Sequence, residues 1–183
     1  MSAQNWNHFQ RAAVLDFVRK TVAAELGVAP EPGMPDVPGL AETGACFVTL
    51  HGPAGALRGC IGNLEAFETL GENLKHNALN AAFRDPRFPM LEPEELEEVK
   101  FEVSVLSAPE SISGAEAFET GRHGIILRKS GRSAVFLPQV APEQGWDRET
   151  TLNYLAIKAG LPPDAWREPD AEFSVFTATV LGE

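Results

Sequence analysis

The sequence lacks most of the short motifs that mark a catalytic or cofactor-binding fold. It has no glycine-rich phosphate loop, no HExxH, no GxSxG and no CxxC pair. These absences remove support for nucleotide hydrolysis, zinc-peptidase, α/β-hydrolase and structural-zinc chemistry, and no cofactor is predicted. A metal bound by Cys60 and His123 is conceivable, but it would rest on one candidate pair of ligands.

Cysteine is also scarce. Cys46 and Cys60 are too few for a disulfide framework, so we expect a reducing compartment and a cytoplasmic location. No apolar run reaches the roughly eighteen residues that a membrane span needs, and the N-terminal residues lack the basic and apolar regions of a signal peptide. The sequence therefore predicts no membrane association.

Basic residues are outnumbered by acidic ones. The chain has 26 acidic and 15 basic side chains, which gives a formal charge of −11. Such a charge repels phosphate backbones, so direct nucleic-acid binding is disfavoured. With 183 residues, of which 44% are hydrophobic, the chain can bury one continuous core, and we predict a single domain over residues 1–183.

Hydrophobic periodicity, caps and turn residues predict about three sizeable helices and five or six strands. The helices are expected at residues 6–26, 70–84 and 147–159, and the strands at 45–51, 56–62, 101–105, 124–128, 133–137 and 173–181. Most of these strands are linked by hairpins, and no βαβ unit is present. The pattern favours an α+β fold with a mostly antiparallel sheet and packed helices.

The first predicted hairpin places its side chains on two defined faces. A two- or four-residue connection sets odd residues of strand 45–51 opposite even residues of strand 56–62. The core face would then contain Cys46, Val48, Leu50, Leu57 and Ile61, and the other face would contain Phe47, Thr49, His51, Arg58 and Cys60. A three-residue connection would shift this arrangement.

Several long motifs resemble the AMMECR domain family. They are LRGCIG at 57–62, ENLKHNALNAAFRDPRFPMLEPEEL at 72–96, EVSVLS at 102–107, RHGIIL at 122–127, LPQVAPEQGWD at 137–147 and KAGLPPDAW at 158–166. The resemblance covers nearly the whole chain and implies an α+β main lobe with a smaller lobe that leaves a cleft. The family's activity is not established, but some prokaryotic members resemble components of a three-part system with a Memo-like protein and a radical SAM protein, which implies an enzymatic or modification pathway.

The LRGCIG motif contains the main candidate for chemistry. Arg58 and Cys60 share a face, roughly 6 to 7 Å apart along a strand, so the guanidinium could favour a reactive Cys60 thiolate. Gly59 and Gly62 would let a ligand approach closely. The alternative is that Cys60 is a small buried residue and that the glycines make room for a neighbouring helix.

A second group of candidates lies on the predicted helix 70–84. Asn73, Asn77, Asn80 and Arg84 follow helical spacing and are expected to form a polar stripe opposite the alanines. Asparagine is a mediocre helix former, so these amides could line a polar pocket. An ordinary solvated face is the alternative.

The remaining candidates lie in loops and at strand ends. Asp85, Arg87 and Phe88 could clamp a ligand, because Pro86 and Pro89 limit the backbone there. Alternatively, Arg87 could form an ion pair with Asp85 or a helix carboxylate that only ties the loop down. His123 begins a strand and, like His51, could pair with Cys60 or simply be solvated. Gln139 and Trp146 suggest either a pocket wall or core packing.

Two functional hypotheses follow. In the first, the chain is a component of an enzymatic or modification pathway and binds a small ligand in a cleft around LRGCIG. In the second, it is a non-catalytic module that binds a protein partner with the same surface. The scarcity of acidic residues in the motif suits an anionic ligand or partner in either case.

Overall fold

The computed structural model describes residues 3–183, which form two compact units. The first unit contains the residues up to Leu106 together with Thr179–Glu183, and the second is Ser107–Ala178. Each has its own cluster of buried apolar side chains. That the whole chain acts as one domain stays a prediction.

Four α-helices and eight strands are present in the described residues. The helices are α1 (His8–Glu25), α2 (Leu70–Phe83), α3 (Val140–Gln144) and α4 (Arg148–Lys158). The strands are β1 (Ala45–His51), β2 (Leu57–Gly62), β3 (Lys100–Leu106), β4 (Glu110–Ile112), β5 (Gly124–Lys129), β6 (Arg132–Phe136), β7 (Glu172–Phe176) and β8 (Ala178–Gly182). They form two four-stranded sheets, ordered β2-β1-β3-β8 and β4-β7-β5-β6. The predicted α+β class is confirmed.

In the first unit, α1 and α2 pack together and cover one face of the β2-β1-β3-β8 sheet. The side chain of Asn7 caps α1 in a capping box with Gln10, and Gly27 follows its end in a left-handed conformation. Phe9, near the start of α1, is exposed and does not join the buried stripe of the helix. The predicted first and second helices are otherwise confirmed.

The predicted register of the first hairpin is confirmed over most of its length. Val48 is opposite Ile61 and Thr49 is opposite Cys60, so odd residues of one strand face even residues of the other, as predicted. A bulge between Leu50 and His51 then shifts the register. Because of this shift Leu57 is 43% exposed, and its predicted place in the core is wrong.

The second unit contains the other predicted hairpin and the third predicted helix. Ser130 and Gly131 connect β5 to β6 with positive φ angles, between the two strands that the sequence predicted as a hairpin. Asp147 caps α4 by accepting a hydrogen bond from the Thr150 amide.

Two features of the strand pattern were not predicted. The last predicted strand, 173–181, is two strands that belong to different sheets and meet at Thr177. An uninterrupted apolar alternation does not show that a chain changes sheets. The three-residue strand β4 also gave no periodic signal, because it is too short to show one.

Within residues 3–183, no helix is both long and apolar enough to cross a membrane.

Candidate functional site around Cys60

Cys60 lies on β2, which is one of the two edge strands of its sheet. Its side chain is on the face away from the core, as predicted, and is partly exposed. The Thr49 hydroxyl, directly across the strand pair, donates a hydrogen bond to the Cys60 sulfur at 3.3 Å. The thiol is therefore held in a defined position instead of rotating freely.

The backbone of Cys60 is bound by side chains from the segment that follows α2. Its N–H donates to Oδ2 of Asp85 at 2.9 Å, and its carbonyl oxygen accepts from Nη2 of Arg87 at 3.1 Å. An outermost strand has no neighbour on one side, so outward backbone groups need other partners. Here one acidic and one basic side chain satisfy both groups of a single residue.

Asp85 and Arg87 form a two-point ion pair. Arg87 Nε donates to Oδ1 at 2.9 Å and Nη2 donates to Oδ2 at 2.7 Å. Asp85 is only 4% exposed, whereas the Arg87 side chain is 54% exposed. The Arg87 guanidinium holds the pKa of the Asp85 carboxyl well below its usual range, and the amides of Cys60 and Arg87 add to this effect against the cost of burial. This is the ion pair that the sequence offered as the alternative to a ligand clamp.

Arg58 is engaged elsewhere. Its Nε and Nη2 bind the two carboxylate oxygens of Glu95 at 2.7 and 2.8 Å, and it also donates to the backbone oxygens of Pro89 and Met90. Arg58 lowers the pKa of Glu95 through these bonds. The guanidinium that contacts Cys60 is that of Arg87, which binds the Cys60 carbonyl oxygen. Stabilisation of a Cys60 thiolate by Arg58 stays a prediction.

The asparagines of α2 differ from the predicted stripe. Asn73 is 0% and Asn77 is 1% exposed, so both lie in the core and not on a face opposite the alanines. Asn73 Oδ1 accepts from the Cys46 amide at 2.9 Å, and Asn77 Nδ2 donates to the Cys46 carbonyl oxygen at 3.2 Å. Both amide nitrogens also donate to Asn63 Oδ1. The asparagines satisfy the backbone of β1 just beyond the point where β2 ends.

The two glycines of the motif are explained by packing. A Cβ at Gly59 would overlap the carbonyl oxygen of Ala81 on α2. A Cβ at Gly62 would overlap the ring of Phe47 on β1. Gly59 thus admits a neighbouring helix, as the more conservative sequence interpretation proposed.

The histidines and the other predicted residues occupy separate positions. His51 Nε2 is 3.7 Å from Oε2 of Glu102, and the Cys60 thiol is bonded to Thr49. His123 and Gln139 belong to the second unit, where His123 Nδ1 accepts from the Glu119 amide and the Gln139 carbonyl accepts from the Glu143 amide. Their participation in a site stays a prediction.

Trp146, also in the second unit, stacks on Tyr154 with a ring-centroid distance of 4.4 Å. Within residues 3–183, no group of three or more His, Cys, Asp and Glu side chains is arranged to bind a metal ion.

The comparisons with known proteins agree with this fold. A model of the AMMECR1 family matches residues 15–181. The chain belongs to the AMMECR1 family. It is 48% identical over 152 residues to Protein MK0488 of Methanopyrus kandleri, with 79% of this chain and 73% of that protein covered.

Two further relatives cover more of this AMMECR1-family chain. A protein of Thermococcus gammatolerans is 41% identical over 191 residues, which covers 97% of this chain and 90% of that protein. Among solved structures, the uncharacterized protein PH0010 from Pyrococcus horikoshii is similar with a TM-score of 0.83 at 36% identity, and 95% of this chain and 91% of that chain are covered.

Sequence reasoning missed the partners of the motif. Glu95, which binds Arg58, is 37 residues away from it, and Cys46, which binds both buried asparagines, was placed only as a core residue. The repeated asparagine on a helix was the one available signal, because buried amides in a helix need hydrogen-bond partners.

Replacing Asn77 with alanine tests the role of the buried amides. Asn77→Ala should lower the free energy of unfolding by about 1 to 3 kcal/mol, because buried polar groups lose their partner. Asn80→Ala on the same helix is the matched control, since the Asn80 side chain accepts an exposed hydrogen bond from Arg84 at 3.4 Å, and should change stability by about 0.5 kcal/mol or less. Urea unfolding measures both. Equal decreases in the free energy of unfolding for the two variants would contradict a stabilising role of the buried Asn77 amide.

The Asp85 carboxylate should make folding stability depend on acid pH. Its pKa in the folded chain lies below the unfolded value of about 3.9, so its contribution is complete above that value and is lost as the pH falls further. At neutral pH Asp85→Asn should cost about 1.5 to 3 kcal/mol in unfolding free energy, and the gap to the wild type should shrink as the pH falls below about 4.

Urea unfolding at a series of pH values measures that gap. Asp16→Asn is the control, because the Asp16 carboxylate is exposed and pairs only with Lys20 in the described structure. A gap between the wild type and Asp85→Asn that stays constant down to the acid limit would show that the ion pair does not stabilise the fold through the charged carboxylate.

Proposed function

We propose that this chain is a component of an enzymatic or modification pathway and that it binds a small anionic ligand at the surface formed by Thr49, Cys60 and Arg87. The pathway is the one implied by the family resemblance, with a Memo-like protein and a radical SAM protein as partners in the cytoplasm. The ligand site lies wholly on the first unit.

The orientation of Arg87 is the observation that supports the anionic ligand. Asp85 binds its Nε and Nη2, and the Cys60 carbonyl accepts a further bond from Nη2. Within residues 3–183, no group accepts a hydrogen bond from the remaining nitrogen, Nη1, and half of the side chain is exposed. A guanidinium that is already fixed loses little freedom when it binds a carboxylate or phosphate, which favours such a ligand.

Cys60 adds a second functional group at the same place. Its thiol is fixed by Thr49, and the nearby cation favours the arrival of negatively charged reagents. The other cysteine cannot serve in this way, because burial raises the pKa of the Cys46 thiol to about 12. Any thiol chemistry of this chain would therefore take place at Cys60.

A pair of alkylating reagents tests the anionic site. Iodoacetate carries a negative charge and iodoacetamide does not. The ratio of their reaction rates at Cys60 therefore reports the electrostatic potential at the thiol. We expect Arg87→Gln to lower the iodoacetate-to-iodoacetamide ratio by about three- to tenfold at low ionic strength, and we expect added salt to reduce the difference. Mass spectrometry of the modified peptides gives both rates.

Two controls make this experiment specific. Arg84→Gln removes the same charge from an exposed position three residues away and should leave the ratio close to that of the wild type. Cys46 should stay unmodified in the native chain, which provides an internal check on folding. An unchanged ratio in Arg87→Gln, or an unreactive Cys60, would refute the anionic site.

A protein-binding module is the second candidate, and the exposed apolar residues beside the motif favour it. Leu57 is 43% and Met90 is 62% exposed, and Arg58 connects their segments by donating to the Met90 carbonyl oxygen. Exposed apolar side chains close together are typical of protein-interaction surfaces.

A binding assay against a Memo-like protein distinguishes the two functions. If the surface docks a protein, Leu57→Ser with Met90→Ser should weaken the complex by about tenfold or more, whereas Cys60→Ser should leave it intact. Val28→Ser, which changes an exposed apolar residue in the loop after α1, is the control. Failure to detect a complex, together with co-purification of a small molecule, would reject the protein-binding function.

A further inference from the structure

One edge strand of each sheet has a backbone carbonyl group bound by a basic side chain. On β2 the Cys60 carbonyl accepts from Arg87. On β6, an edge strand of the other sheet, the Val135 carbonyl accepts from Nζ of Lys158 at 2.9 Å. The opposite outer strand of that sheet, β4, is only three residues long. Unpaired strand edges are templates for pairing with another chain, and natural proteins block them with charged side chains or short strands.

The Asp85–Arg87 pair blocks β2 more completely than Lys158 blocks β6. One residue of a neighbouring antiparallel strand would offer a carbonyl to the Cys60 N–H and an N–H to the Cys60 carbonyl. Asp85 Oδ2 already accepts from that N–H, and Arg87 Nη2 already donates to that carbonyl. The pair thus occupies the hydrogen-bonding positions that one residue of another strand would need.

We propose that the Asp85–Arg87 pair keeps the β2 edge of one copy of this chain from pairing with the β2 edge of a second copy. Two identical strands can pair antiparallel about a two-fold axis, so the β2 edge covered by Asp85 and Arg87 is complementary to the same edge of a second copy. Leu57 lies on β2, and the exposed Met90 belongs to the segment that Arg58 ties to it, so both would add apolar contact. Removal of the pair exposes this interface.

The test compares the oligomeric state of four variants with that of the wild type. Arg87→Ala and the double variant Asp85→Ala with Arg87→Ala both remove the block, and the double variant avoids leaving a buried carboxylate without its partner. Arg84→Ala matches the charge change of Arg87→Ala at an exposed position nearby. Asn77→Ala weakens the same sheet without touching the partners of Cys60, so it controls for association caused by lower stability.

Sedimentation velocity over a range of concentrations should show dimers for the two unblocked variants and monomers for both controls. Amide hydrogen exchange locates the interface. In dilute samples of the double variant, exchange at the Cys60 amide should be roughly ten- to a hundredfold faster than in the wild type, because its acceptor is gone. At high concentration the same amide should regain protection, since a second strand replaces the lost acceptor.

Three results would overturn the proposal. The unblocked variants could sediment as the wild type does at every concentration. They could associate without protecting the Cys60 amide, which would place the interface elsewhere. Either control could associate as strongly as the unblocked variants. None of these results depends on whether the surface around Cys60 binds an anion.

Discussion

The structure around the LRGCIG motif depends on one constraint: backbone amide and carbonyl groups removed from water need hydrogen-bond partners. At the outer strand β2, strand pairing alone does not meet this need. Asp85 and Arg87 meet it for Cys60, and Asn73 and Asn77 meet it for Cys46 on the neighbouring strand. All four side chains come from α2 or the segment directly after it, so the position of that helix and the integrity of the sheet depend on each other.

The close approach of α2 is what makes these bonds short enough. Gly59 has no side chain at the point where the Ala81 carbonyl meets β2, and any larger residue would push the helix away. A displaced helix would separate Asn77 from Cys46 and Asp85 from Cys60. The glycine and the polar side chains are therefore parts of the same arrangement, although they lie more than ten residues apart in the sequence.

Local signals allowed much of this fold to be predicted from the sequence. The Thr69 side chain caps α2 by accepting a hydrogen bond from the Glu72 amide, and such a cap can be recognised because it acts within one helical turn. The Asp85–Arg87 ion pair was foreseen as an alternative because Pro86 limits the chain between the two residues. Nothing local connects Arg58 to Glu95, since their contact depends on the course of the whole intervening chain. The buried asparagines were misplaced because their partners, the Cys46 backbone and the Asn63 side chain, lie outside α2 and leave no mark on its sequence pattern. The bulge that exposes Leu57 was missed because one extra residue hardly changes an alternating pattern.

The two cysteines occupy opposite faces of one sheet, and this has a consequence for oxidation. Cys46 lies three residues along β1 from Thr49, the residue opposite Cys60, so the two sulfur atoms are separated by roughly 10 Å of strand and by the sheet itself. A disulfide needs Cα atoms within about 7 Å and side chains that point toward each other. An oxidised Cys60 therefore has no resolving thiol within its own chain, and its recovery requires a reductant from outside.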